Sequence, residues 1–222
     1  MIKEECIFVQ YNEYFTITIV GTMECRTTTT KGDTLIFDQI APFRRGHLGY
    51  WSMGASICKR SNETFLVSFN TCSHVIEIAV NPLKEIQTYK TELRIRCIEY
   101  AQHGGQEILF VGHYDGILRS YSLRVNTMKE LAQMMMAVPQ LILWDNQREI
   151  LFVDEQNQGF VINSNSNVRM LSVAKDARAL KVVNTINESK FGITILSWCL
   201  SGENTLLCFD GSKDELVEFE IK

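Results

Sequence analysis

Histidine, cysteine and carboxylate side chains bind metals and move protons at neutral pH, so their spacing decides what chemistry a chain can carry. The four histidines here are His47, His74, His103 and His113. Cys72 and His74 flank Ser73, which brings two ligand-type side chains together. No CxxC or HxxxH pair accompanies them, and a zinc site needs three or four converging ligands. His113 and Asp115 share one short polar stretch and could pair as acid and base. With no nucleophile or second carboxylate beside them, they read as polar residues of a turn. The GxSxG, GxxxxGK[ST] and GxGxxG motifs are absent. The expectation is no catalytic residue, no metal and no organic cofactor.

Two other stretches suit the holding of a protein partner. The segment AlaProPheArgArgGlyHisLeuGlyTyrTrp (41–51) combines arginines with aromatics, the residue types enriched at binding hot spots. Its candidate contact residues are Phe43, Arg44, Arg45, His47, Tyr50 and Trp51. The stretch 126–136 is rich in methionine, whose flexible thioether adapts to apolar partners, and offers Met134 and Met135. Thr127 and Glu130 have capping-box spacing and Pro139 follows, so the stretch reads as a helix. The alternative is a fourth strand of a sheet, or a helix packed on one.

Composition bounds the rest. The chain has 222 residues, 45% of them apolar, with a formal net charge of −4. That length can bury a core without disulfides. An acidic balance argues against direct binding of nucleic acid, which would be reached only through a complex. The seven cysteines are odd in number and sit mostly in apolar runs, as reduced thiols do. No run of apolar residues is long enough to cross a membrane as a helix. The N-terminus carries no signal-peptide pattern, so a cytoplasmic or nuclear location is expected.

The elements that must position these residues repeat. GluIleLeuPheVal occurs at 107–111 and again at 149–153, an offset of 42. Each copy is followed by a polar turn and a second apolar run, at 117–123 and 160–163. Weaker copies pair 64–69 with 74–80, 205–209 with 216–221, and 6–10 with 14–20. Their β-branched and aromatic residues suit strands, and the Gly, Asn and Asp between them suit tight hairpins. A further strand precedes three of the hairpins, each ending in an aromatic: Tyr100, Trp144 and Trp198. Candidates for a fourth strand are 85–89 and 169–173. The ThrThrThrThr run (27–30) reads as a strand or hairpin edge. Three to four strands at a period near 42 predict an all-β fold, a β-propeller of about five blades, closed or left open and incomplete.

The segment 95–123 resembles one WD40 repeat, with a strand ending in an aromatic, a Gly-containing turn, a second strand, an Asp-containing turn and a third strand. The segment 193–221 is similar to it, and the resemblance runs from about 50 to 221. The Trp-Asp pair expected at the third strand's end is missing, and Trp144-Asp145 falls on a first strand instead. Gly112-His113 lies in a hairpin turn on this reading. The resemblance is thus to a divergent WD40-like propeller family, forming one domain over 1–222. It implies a non-catalytic scaffold for protein–protein interaction, a subunit of a larger complex whose partners are other proteins. The alternative is a propeller enzyme or small-ligand sensor with its site at the central channel. Each terminal blade is expected to lack a strand, unless residues 21–40 supply one.

Overall fold

A strand with one wet face alternates apolar and polar residues, whereas the IleLeuPheVal of 108–111 and 150–153 is apolar without a break, which requires cover on both faces. In the computed structural model of the protein, each copy has that cover. Ile108, Leu109, Phe110 and Val111 are all buried, as are Leu151, Phe152 and Val153. Leu109 and Val111 pack with Cys58, Leu66 and Val75, toward the preceding sheet. Ile108 and Phe110 pack with Leu151, Val153 and Leu171, toward the following one. Phe152 in turn joins Val168, Leu206 and Phe219. Each apolar word therefore contributes side chains to two cores.

The structure describes residues 6–12, 15–20, 24–31, 34–42, 55–61, 63–69, 73–80, 83–156, 166–187, 195–201, 205–210 and 215–220. Their regular elements are all strands. The first sheet is β1 (Cys6–Asn12), β2 (Phe15–Val20), β3 (Glu24–Lys31) and β4 (Thr34–Pro42). The second is β5 (Ala55–Lys59), β6 (Thr64–Phe69), β7 (His74–Val80) and β8 (Leu83–Lys90). The third is β9 (Ile95–His103), β10 (Gln106–His113), β11 (Ile117–Arg124) and β12 (Thr127–Met135). The fourth is β13 (Val138–Asp145), β14 (Ile150–Gln156), β15 (Ser166–Val173) and β16 (Leu180–Asn187). The fifth has β17 (Ile195–Ser201), β18 (Thr205–Asp210) and β19 (Glu215–Glu220).

Every sheet is an antiparallel meander in sequence order. The first strands lie beside one another, β5 against β9, β9 against β13 and β13 against β17. The last strands β4, β8, β12 and β16 also neighbour one another in succession. This is a β-propeller of about five blades, with first strands inside and last strands outside. Hydrogen bonds between inner strands keep the sequence period. Ile98 N–H donates to Ser56 Oγ at 3.0 Å, and the Cys97 thiol to Pro139 O at 3.5 Å, each 42 residues apart.

Several expectations change. The stretch 126–136 is not a helix but the outer strand β12, as the alternative had it. Asn126, at φ 61°, forms the two-residue turn with Val125 that returns the chain onto β11, where Arg124 faces Thr127. Pro139 is the second residue of β13 rather than a helix stop. The run 169–173 lies in the third strand of its sheet, β15, and β16 is the fourth. The stretch 160–163 is outside the described residues. The first sheet lacks no strand, because 24–31 and 34–42 supply β3 and β4. Tyr100 and Trp144 do occupy equivalent places, opposite Leu109 and Leu151. Trp198 lies on the first strand of its sheet opposite Cys208, two residues beyond Leu206, the leucine that packs toward the preceding sheet there.

Candidate functional site

Catalysis needs groups that converge, and the described histidines His103 and His113 do not converge on each other. His103 ends β9 and His113 ends β10, at opposite ends of the same hairpin. At roughly 3.3 Å per strand residue they lie on the order of 23 Å apart. His113 is a buried strand residue rather than a turn residue. Its Nδ1 lies 3.2 Å from Arg94 O and its Nε2 3.4 Å from the Tyr121 hydroxyl. Burial, aided by the charge of Arg119, holds its pKa below the usual histidine range, so the ring stays neutral. His103 Nε2 is 2.9 Å from Ala174 O, and the ring packs edge-on against Trp144. Each ring is tied to one backbone carbonyl of another segment, Ala174 O for His103 and Arg94 O for His113.

Glu99, on inner strand β9, is a carboxyl held far from its ordinary state. Burial pushes its pKa up to about 8, while the Trp144 N–H at 3.4 Å favours the charged form. That N–H is its hydrogen-bond partner among the described residues, with no histidine or nucleophilic hydroxyl joined to it. Cys58 and Cys97 are buried free thiols. Burial, and then the neighbouring Glu99, raise the Cys58 pKa, so this thiol is not an activated nucleophile. Among the described residues no three His, Cys, Asp or Glu side chains gather to hold a metal.

What the sheets do present is an outer rim. β12 is the edge strand of its sheet, and its outward backbone groups have no strand partner among the described residues. Met135 is 77% exposed and Val125, in the turn that opens β12, is 78% exposed. Met134 points the other way and packs on the core between the third and fourth sheets. The two predicted methionines thus divide, one outward and one inward, as neighbours on a strand must. At the other end of β12, Asn126 N–H donates to Gln87 Oε1 of β8 at 2.9 Å. Val125 therefore sits beside β8, which carries half-exposed Ile86. Phe43, Arg44, Arg45, His47, Tyr50 and Trp51 lie outside the described residues.

Sequence reasoning missed a cluster of polar groups that joins two sheets. Between the second and third sheets, Arg60 bonds Glu77 and Glu107, and Tyr89 and Gln87 also reach Glu77. Tyr100 donates to Glu107 at 2.9 Å. Burial raises Tyr89 and Tyr100 to about 12, so both stay protonated donors. These residues are scattered over 60–107, and only the stacking of the sheets brings them together. The sole hint in the sequence is their separation, 47 residues from Arg60 to Glu107, close to the repeat period.

No protein-family model matches the chain, and no curated protein sequence does. Solved structures do. A functionally unknown protein from Desulfotomaculum acetoxidans gives a TM-score of 0.69 at 14% identity, over 98% of this chain and 68% of that one. A candidate 6-phosphogluconolactonase from Bacteroides fragilis gives 0.66 at 10% identity, over 96% and 65%. The WD40 β-propeller domain of Doa1 gives 0.59 at 8% identity, over 99% and 66%. The chain spans about two thirds of the length of each. At such identities the likeness is one of fold, and it extends beyond WD40 propellers to propellers of other kinds.

Proposed function

We propose that this β-propeller is a non-catalytic scaffold for protein–protein interaction and a subunit of a larger complex, with residues 1–222 acting as one domain. The observation that carries the reading is the division of labour among its polar groups. His103, His113 and Glu99 are spent on separate structural contacts, while the outer strand β12 offers an unpaired edge with exposed Val125 and Met135. An edge of this kind accepts an added strand by backbone hydrogen bonds, and flanking apolar side chains supply specificity. Met135 is the contact residue on the described surface, joined by Phe43, Arg44, Arg45, His47, Tyr50 and Trp51. Met134 is excluded because it packs inward.

The test is purification of the tagged full chain from its native cells, followed by reconstitution of any stoichiometric companion from purified components. Met135→Asp places a charge in the docking surface without touching the core. It should weaken reconstituted binding about tenfold or more. A chain that purifies alone as a monomer, or a companion whose binding ignores Met135→Asp and changes at 43–51, would move or remove the proposed surface.

A further inference from the structure

Blades of a propeller diverge toward their outer strands, and the gap between two of them must be filled or left open. Between the third and fourth sheets it is filled on the inside by the turn joining β15 to β16. Ala177, at φ 56°, is fully buried among Ala101, Ile108 and Leu118. Ser120 Oγ donates to Ala177 O at 2.8 Å, and His103 Nε2 is 2.9 Å from Ala174 O. Beyond this turn the gap opens into a cleft of about 600 Å³.

The cleft is lined by cations from three places: Arg124 ending β11, Lys129 on β12, and Arg178 of the inserted turn. All three are exposed, and among the described residues none is paired with a carboxylate. Three arginines elsewhere do find carboxylates. Arg60 holds Glu77 and Glu107, Arg119 lies 3.3 Å from Glu130, and Arg148 lies 3.3 Å from Asp145. The remaining lining is Gln106, Ser122 and Thr127, which donate hydrogen bonds, and Leu131. Among the described residues no acidic side chain lines the cleft, in a chain with 26 acidic and 22 basic residues. Asp176, on the same turn, accepts the Arg178 backbone N–H at 3.1 Å, which helps fix the turn.

We propose that this cleft is an anion site that takes a phosphomonoester. Three positive groups around one space repel one another until an anion enters. A carboxylate brings one charge and two oxygens, whereas a phosphomonoester brings close to two charges and three acceptor oxygens. Guanidinium groups at Arg124 and Arg178 match two of those oxygens bidentately, Lys129 acts as a point charge, and the Ser122 and Thr127 hydroxyls complete the set. The volume leaves room for the group that bears the phosphate. An extended polynucleotide would want a longer basic track with aromatic faces, and among the described residues no aromatic lines the cleft. The cleft lies on the face of β12 turned toward the fourth sheet, whereas the docking edge uses the outward backbone groups of the same strand.

The test is isothermal titration of the full chain with inorganic phosphate, glycerol 3-phosphate, a phosphoserine peptide and its unphosphorylated form, with acetate as reference. Saturable binding of inorganic phosphate is expected, with acetate at least tenfold weaker. Arg124→Gln, Lys129→Gln and Arg178→Gln should each weaken it about tenfold, the worth of one charge-assisted hydrogen bond. Arg178→Lys should weaken it less than Arg178→Gln, and circular dichroism should be unchanged in all. Tighter binding of glycerol 3-phosphate assigns a small-molecule source, and tighter binding of the phosphopeptide a protein source. No saturable binding of any phosphate probe would overturn the proposal. So would an equal effect of Lys84→Gln, or a single-stranded oligonucleotide bound ahead of every phosphomonoester.

Discussion

The Arg60 guanidinium grips both carboxylate oxygens of Glu107 across the seam between the second and third sheets, Nε to Oε1 at 2.9 Å and Nη2 to Oε2 at 2.7 Å. The same group reaches back to Glu77 of its own sheet, Nη1 to Oε2 at 2.5 Å. Glu77 is 4% exposed, and Arg60 is its ion-pair partner there. Arg60→Ala should lower the unfolding free energy by about 2–4 kcal/mol at pH 7, mostly by stranding Glu77. The hydrogen bond from Arg60 also holds Glu107 below the usual carboxylate range. That stability is present above the unfolded pKa and lost as pH falls through the folded one. Urea melts at pH 7 and pH 4 should therefore show the mutant's deficit shrinking in acid.

Gly104 lets the turn of the fourth sheet lie on the third. Its φ is +57°, and a Cβ there would stand 1.9 Å from Lys175 O. Backbone cannot yield as a flexible side chain does. Gly104→Ala should cost about 2–3 kcal/mol in a denaturant melt. Gly105 also has positive φ but faces open space, so Gly105→Ala should cost about 1 kcal/mol. Equal costs would mean that the turn is not seated on Gly104.

Glu99 should make the protein less stable as pH rises. The unfolded carboxyl ionises near 4.5, whereas burial delays the folded one to about 8. Between those values the unfolded chain releases a proton that the folded chain keeps, so stability falls with pH. Glu99→Gln removes this titration and can still accept the Trp144 N–H. It should stabilise the protein by on the order of 2 kcal/mol at pH 7.5 and by little at pH 4.5. Midpoints of urea unfolding across that range would check it, and a mutant parallel to the parent at all pH values would refute it.

His113 works in the opposite sense. Its folded pKa is depressed, so as pH drops below about 6.5 the unfolded chain takes up a proton that the folded ring refuses. Stability from this residue is complete above that pH and declines below it. His113→Gln should lower stability at pH 7.5 by about 1–2 kcal/mol through the lost packing and hydrogen bonds. It should also flatten the decline between pH 6.5 and 5, which a set of thermal melts would show.

The sequence by itself carried the repeat, and with it the strands, because a sheet covered on both faces demands unbroken apolar words such as IleLeuPheVal at a fixed period. It also carried the hairpins, through turn residues such as Asp115-Gly116. It misread 126–136, where Met, Lys, Glu, Leu, Ala and Gln favour a helix and only the unpaired edge of β11 favours a strand. Local propensity is worth a few tenths of a kcal/mol per residue, and a row of ladder bonds to β11 outweighs it. His113 was misread for a similar reason, since the cover that buries it comes from β11 and from Arg94, which no local pattern reveals. The seam around Arg60, and the cleft among Arg124, Lys129 and Arg178, belong to the tertiary structure alone. Each joins residues of different sheets, and the distances between them follow from how the sheets stack, a relation that spacing along the chain does not encode.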